Sequence, residues 1–286
     1  MKLNNRTGFR IFGWVLFLCA VGFFCVQMGY LLVHERYNVE YVDNRLFYLI
    51  NSLWAMCLAL SILLLLKVSK KIMITIFAVM FLFIVGNGIL LVGDNKETKN
   101  ITSLSSDWKH VLSMKQDVET GQTTYYRSYY GILARPKEVL PNEVAGDVSV
   151  EWLANDVATF TYEATDDSVQ QFIATYGDRG DGGSYYYVGA QIQGQWQAEN
   201  VQIVSNTEGI PIKENGETEL FPWENIEQFG TLAISLKGNN GVWSIALNEN
   251  FEIHADPSKP TDGNITLYKA SLQNSEPILL DPKTNR

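Results

Sequence analysis

Residues 67–92 read KVSKKIMITIFAVMFLFIVGNGILLV. A bend with three lysines (Lys67, Lys70, Lys71) is followed by 21 residues, Ile72 to Val92, without a charged side chain. A helix rises about 1.5 Å per residue and bilayer hydrocarbon is about 30 Å thick, so roughly 20 apolar residues cross it. Toward the N-terminus lie two more such runs, Leu46 to Leu66 with 21 residues and Ile11 to Val33 with 23. In the middle run twelve Leu, Ile and Phe residues face only Asn51, Ser52 and Ser61 as polar company. At about −0.3 to −0.6 kcal/mol each on insertion, the apolar residues win. Helices buried in a soluble core are the weaker reading, because three charge-free runs of this length within 93 residues leave no polar face for water. Residues 1–93 are therefore expected to form a three-helix membrane anchor with spans at about 11–33, 46–66 and 72–92. The first run is expected to be retained: it exceeds a signal-peptide core in length and lacks a convincing small-x-small cleavage site.

The charges give the expected orientation. Of 286 residues with net charge −9, residues 1–93 sum to +5 and the remainder to −14. Lys2, Arg6 and Arg10 precede the first run and three lysines fill the bend, whereas the link His34–Arg45 has two basic and three acidic residues. Basic segments stay in the cytosol. The N-terminus is thus expected inside and the C-terminal part outside, although Lys96 and Lys99 dilute the contrast. All three cysteines, Cys19, Cys25 and Cys57, fall in the runs. The following 193 residues have none, which excludes a disulfide scaffold and Cys-ligated zinc there and favours a bacterial surface as the setting.

Residues 94–107 are polar and read as a stalk, residues 108–280 as a β-rich extracytoplasmic domain, and residues 281–286 as a loose tail. The β reading rests on short runs rich in Val, Ile, Thr and aromatic residues divided by turn residues. Expected strands are 110–118, 123–134, 148–153, 157–163, 171–176, 184–193, 201–205, 231–236, 242–247 and 264–272; Ser168–Tyr176 also reads as a short helix. The clearest hairpin runs from Thr231 through Gly238-Asn-Asn-Gly241 to Leu247, and a second turns at Asn215-Gly216. The fold class is then membrane α-helical, with three transmembrane helices, plus a mainly-β sandwich- or barrel-like domain.

Few residues point to chemistry. Gly177-Asp178-Arg179-Gly180-Asp181-Gly182-Gly183 offers Asp178 and Asp181 as calcium ligands, but no Glu stands where an EF-hand loop needs one, so a Gly-rich connection is the plainer reading. Its Arg-Gly-Asp tripeptide is expected to be a chance match. Tyr185 and Tyr187 would share one face of a strand and offer aromatic surface to a ligand, against the plainer reading of core packing. Gly86-Asn87-Gly88 offers a helix-packing contact, within the chain or with another membrane protein. The spans hold no Asp, Glu, Lys, Arg or His, so transport by this chain alone is not expected. His34, His110 and His254 show no metal spacing, and there is no Gly-x-Ser-x-Gly elbow or phosphate loop. The acidic outer part disfavours nucleic acid. The expected function is a non-enzymatic binding, sensing or accessory-subunit module of the cell envelope, without a cofactor, with the lipid bilayer as partner and an extracellular ligand left open. The alternative is a surface-anchored hydrolase whose site is assembled from scattered residues.

Overall fold

The computed structural model describes residues 5–129, 131–180, 185–239, 241–253, 262–273 and 275–283. Three helices occupy the apolar runs: α1 (Asn5–Tyr37), α2 (Arg45–Leu65) and α3 (Lys70–Glu97). Each is long and apolar enough to cross a membrane. Ser69 caps α3, its hydroxyl accepting from the Ile72 amide at 3.4 Å. Small residues set the α1–α2 contact: Gly13 lies on Leu64 and Leu65, which a Cβ would meet at 3.0 Å, and Ala20, Cys57 and Ala59 are buried.

Helices α1 and α3 outrun the expected spans because nothing in the flanking sequence breaks them. After Gly93 come Asp94, Lys96 and Glu97, which prolong α3 by a turn. Strand β2 (Thr98–Leu104) follows at once. The stretch read as a polar stalk is therefore helix and strand through Leu104, its β-branched Thr98, Ile101 and Thr102 favouring extended backbone. Strands β3 (Val111–Asp117), β4 (Thr123–Tyr129) and β5 (Leu133–Val139) continue the sheet, and β1 (Glu40–Tyr41), from the α1–α2 link, pairs with β5. The order is β1-β5-β4-β3-β2.

The chain divides into two compact units, one of Met1–Thr102 with Ser113–Val139, the other of Ser103–Leu112 with Leu140–Arg286. The second unit holds a three-stranded meander, β6 (Val144–Ala154), β7 (Val157–Ala164) and β8 (Val169–Thr175). Ser168–Tyr176 is thus strand rather than helix. The expected strand 184–193 is absent among the described residues. Val188 and Ile192, both fully buried, have the i, i+4 spacing of a helix, and α4 (Val188–Gln191) forms with Gly189 under the ring of Trp223.

Beyond it run β9 (Gly194–Gln197), β10 (Val201–Ser205), β11 (Gly209–Glu214), β12 (Glu217–Pro222), β13 (Ile226–Phe229), β14 (Ala233–Gly238), β15 (Gly241–Leu247), β16 (Ile265–Lys269) and β17 (Ile278–Pro282). Their order is β12-β11-β10-β9-β17-β16-β15-β14-β13, an antiparallel sheet that curls into a nearly closed barrel. The last strand knits the two halves: Leu280 pairs with Ile265, and Asp281 with Gln197. Asp281 and Pro282 are therefore strand rather than tail. Gly238 brings the sheet's ends together, since a Cβ there would meet the Phe221 ring at 2.5 Å. Asn215 (φ 52°) and Gly216 (φ 92°) make the two-residue turn between β11 and β12, with positive φ at both positions.

Alternation sorts the barrel's faces. Inside lie Ile234, Leu236, Trp243, Ile245, Leu267 and Leu280, with Trp196, Ile203, Ile210 and Phe221 from the other half. Outside, Ala233, Ala246 and Tyr268 pack against Leu153, Val157 and Ile173 of the meander. The unit is a barrel carrying a sandwich on one flank. Gln171 fixes that interface: its amide donates to Thr161 Oγ1 at 3.2 Å, and its Oε1 accepts from Ser244.

Candidate functional site

The same alternation builds a mouth at one end of the barrel. Along β11 the inward positions run Ile210, Ile212, Glu214; along β12, Glu217, Glu219, Phe221; along β16, Ile265, Leu267, Lys269. Each ladder is apolar inside and changes to charge at this end. Trp243, paired with Lys269 across β15 and β16, is the last large apolar side chain. Glu214, Glu217, Glu219, Trp243 and Lys269, with Ile212 and Thr218, line a cavity of 260 Å³. Lys269 Nζ lies 4.9 Å from the centroid of the Trp243 ring and 3.6 Å from Glu214 Oε2. Trp243 is only 3% exposed, and its indole N–H has no hydrogen-bond partner among the described residues. Three carboxylates against one ammonium make the lining acidic, and the indole supplies a cation-binding face.

The segment 177–180 is built around a buried arginine. Arg179 forks onto Asp156, Nη1 to Oδ2 at 2.5 Å and Nη2 to Oδ1 at 2.7 Å, and also donates to the carbonyls of Leu247 (2.9 Å) and Asn248 (2.6 Å). Buried in this way, Arg179 is not presented as part of an Arg-Gly-Asp ligand. Asp178 accepts from the Gly180 amide at 3.0 Å, an ordinary turn contact, and Asp181 lies outside the described residues, as does His254. Among the described residues no group of three His, Cys, Asp or Glu is placed to hold a metal.

Tyr185 and Tyr187 do share one side, although not on a strand. Their rings meet edge to face at 5.6 Å and are 63% and 67% exposed. Gln228 organises them, donating to Tyr185 Oη at 3.1 Å and accepting from the Val188 amide at 3.0 Å. In the other unit Asn87 is buried and donates to the Phe83 carbonyl at 3.0 Å, while a Cβ at Gly86 or Gly88 would meet nothing. Asn87 and Gly88 instead border a 470 Å³ groove between α2 and α3. His110 stacks on Tyr176 at 5.0 Å, and His34 Nδ1 lies 2.8 Å from the Val39 carbonyl oxygen.

That unit also has a buried ionic knot where the α1–α2 link meets the sheet. Lys115 Nζ donates to Glu40 Oε2 (2.5 Å) and Asn44 Oδ1 (2.6 Å) and lies 4.4 Å from the Tyr126 ring centroid. Burial holds the Lys115 ammonium below its usual pKa, against the pull of Glu40, Asp43 and Asp94. Burial pushes the Asp43 carboxyl up, but hydrogen bonds and charge from Arg45, with Thr102, leave it below its ordinary value. Comparison of the chain with protein-family models, curated proteins and solved structures finds no match.

Neither the mouth nor the knot was among the residues singled out from sequence. The mouth did leave a signal, in the period-2 ladders that end in Glu214, Glu217 and Lys269. Reading it required knowing that β11, β12, β15 and β16 line one barrel.

Proposed function

We propose that this chain is a multi-pass membrane protein that holds an acidic β-rich binding module outside the cytosol, acting without catalysis as a sensing or accessory subunit of the cell envelope. The observation that carries this reading is the join between helix and sheet. The α1–α2 link supplies β1, and α3 enters β2 without a linker. A movement of the sheet is then a movement of helix ends, which suits sensing or subunit coupling; a tethered enzyme has no need of it. Helix lengths support the membrane setting: 33, 21 and 28 residues rise about 50, 32 and 42 Å. The six basic residues before α1's apolar run and in the 67–71 bend support a cytosolic N-terminus. Protease shaving of intact cells carrying a tag at each end tests this. The account expects loss of the C-terminal tag and survival of the N-terminal one, and the reverse pattern overturns it.

A further inference from the structure

We propose that α3 docks against the α3 of a second copy across the groove beside α2, with the two Asn87 carboxamides bonded to each other; of the reading above it takes only the membrane setting. Among the described residues of α3 only Asn87 is buried, at 8% exposure. Val92 ends the apolar run, so Asn87 sits about 7 Å inside it at 1.5 Å per residue. Its Nδ2 makes one hydrogen bond, to the Phe83 carbonyl. Its Oδ1 accepts none among the described residues, yet it is not sealed in as Asp94 Oδ2 is. Asn87 borders the 470 Å³ groove, and that is where this oxygen opens. One acceptor and one N–H are thus left unmade at a depth without water, and each is costly until something meets it.

What remains on Asn87 decides what meets it. Lipid tails offer neither donor nor acceptor, and phospholipid esters offer acceptors only. A second Asn87 offers both, so that each carboxamide donates once and accepts once. Copies inserted the same way round are related by a two-fold axis along the membrane normal, which sets each residue opposite its counterpart at one depth. The rest of the groove is self-complementary too. Ile84, Gly88 and Leu91 line it at the i, i+4, i+7 spacing of one helix stripe. A Cβ at Gly88 would meet nothing in its own chain, which leaves room for a close helix approach. At the outer end the groove is lined by one acid and one base, Asp43 and Arg45. Arg45 gives Nε and Nη2 to Asp43, its side chain stays 52% exposed, and its Nη1 makes no bond among the described residues. Two such rims facing each other set each free Nη1 toward the other copy's carboxylate.

The test uses the full chain with its three native cysteines replaced by alanine and single cysteines placed on α3. Under mild oxidation in native membranes, Ile84→Cys and Leu91→Cys should each give a disulfide-linked dimer of the chain. Ile89→Cys, exposed on the opposite side of the helix, should give several-fold less. In mild detergent, energy transfer between two dye-labelled populations gives the dimer dissociation constant. Asn87→Leu should raise it about 10-fold, through the loss of two interhelical hydrogen bonds. Gly88→Leu, whose added bulk has open space in its own chain, should raise it by at least about 10-fold, and Gly93→Leu, the same bulk on the far side of α3, by less than about 2-fold. Equal cross-linking from Ile89→Cys and Leu91→Cys, cross-links from Leu91→Cys only to other proteins, or a dimer indifferent to both Asn87→Leu and Gly88→Leu overturns the proposal. Sidedness is read separately. A dimer formed by a chain whose shaving pattern is reversed rejects the outward placement alone; the expected shaving pattern without a Leu91→Cys dimer rejects the second copy alone.

Discussion

Removing the Asp156 carboxylate leaves Arg179 charged, buried and short of half its partners. The Arg179 side chain is 6% exposed and that of Asp156 14%, so solvent screens the pair little. Breaking such a pair from one side costs about 3–5 kcal/mol, because the remaining charge stays desolvated. Asp156→Ala should therefore lower the melting temperature of this unit by about 6–20 °C, at roughly 2–4 °C per kcal/mol. Arg179→Met in the same chain removes the stranded charge. It leaves the Leu247 and Asn248 carbonyls without the guanidinium, at about 1 kcal/mol each. The double variant should thus cost only about 2 kcal/mol, less than Asp156→Ala alone. The assay is thermal unfolding of the full chain in mild detergent, followed by near-ultraviolet circular dichroism. An Asp156→Ala cost below about 1 kcal/mol, or a double variant less stable than the single, would mean that no stranded charge is created at Arg179.

Other consequences follow from the same packing. Leu280→Ala should destabilise the barrel by about 2–5 kcal/mol in denaturant unfolding, while Leu279→Ala, at a 58% exposed position next door, should stay within about 0.5 kcal/mol. Gly238→Ala places a methyl against Phe221 and the Glu219 carboxylate and should cost about 1–3 kcal/mol, read as a lower urea midpoint. Lys115, held below its usual pKa, gives a pH signature. Between its folded value and the unfolded one the unfolded chain binds more protons, so stability rises with pH across that window. Lys115→Met should flatten this rise. The measurement belongs below about pH 10, because Tyr41, pushed up to about 12 by burial, contributes a loss of stability above the ordinary tyrosine value.

How far the sequence speaks depends on the range of the interactions. The three apolar runs declare their helices locally, and α1, α2 and α3 contain nearly all of the expected spans. The hairpins at Asn215-Gly216 and Gly238–Gly241 were legible because turn chemistry is local too. Strand β17 was not. Ile278-Leu279-Leu280 is too short to stand out beside a polar end, and its place depends on β9, more than 80 residues earlier. The strand expected at 184–193 failed because Tyr and Val suit strands in general, whereas burial of both Val188 and Ile192 demanded one helical turn. Asp178 drew notice for its spacing, but Arg179 beside it proved to be the residue that organises the segment. The mouth was written in alternating positions of four strands and became visible only once their pairing was known.

In the proposed topology the β-rich part faces away from the cytosol. The most direct measurement is labelling of intact cells with a membrane-impermeant maleimide, in a chain whose three native cysteines are replaced by alanine. One version carries Asn215→Cys at the exposed β11–β12 turn and another carries Lys70→Cys in the basic bend. The account predicts that Asn215→Cys labels on intact cells and that Lys70→Cys labels only after lysis. Labelling of Lys70→Cys on intact cells, with Asn215→Cys protected until lysis, would contradict it.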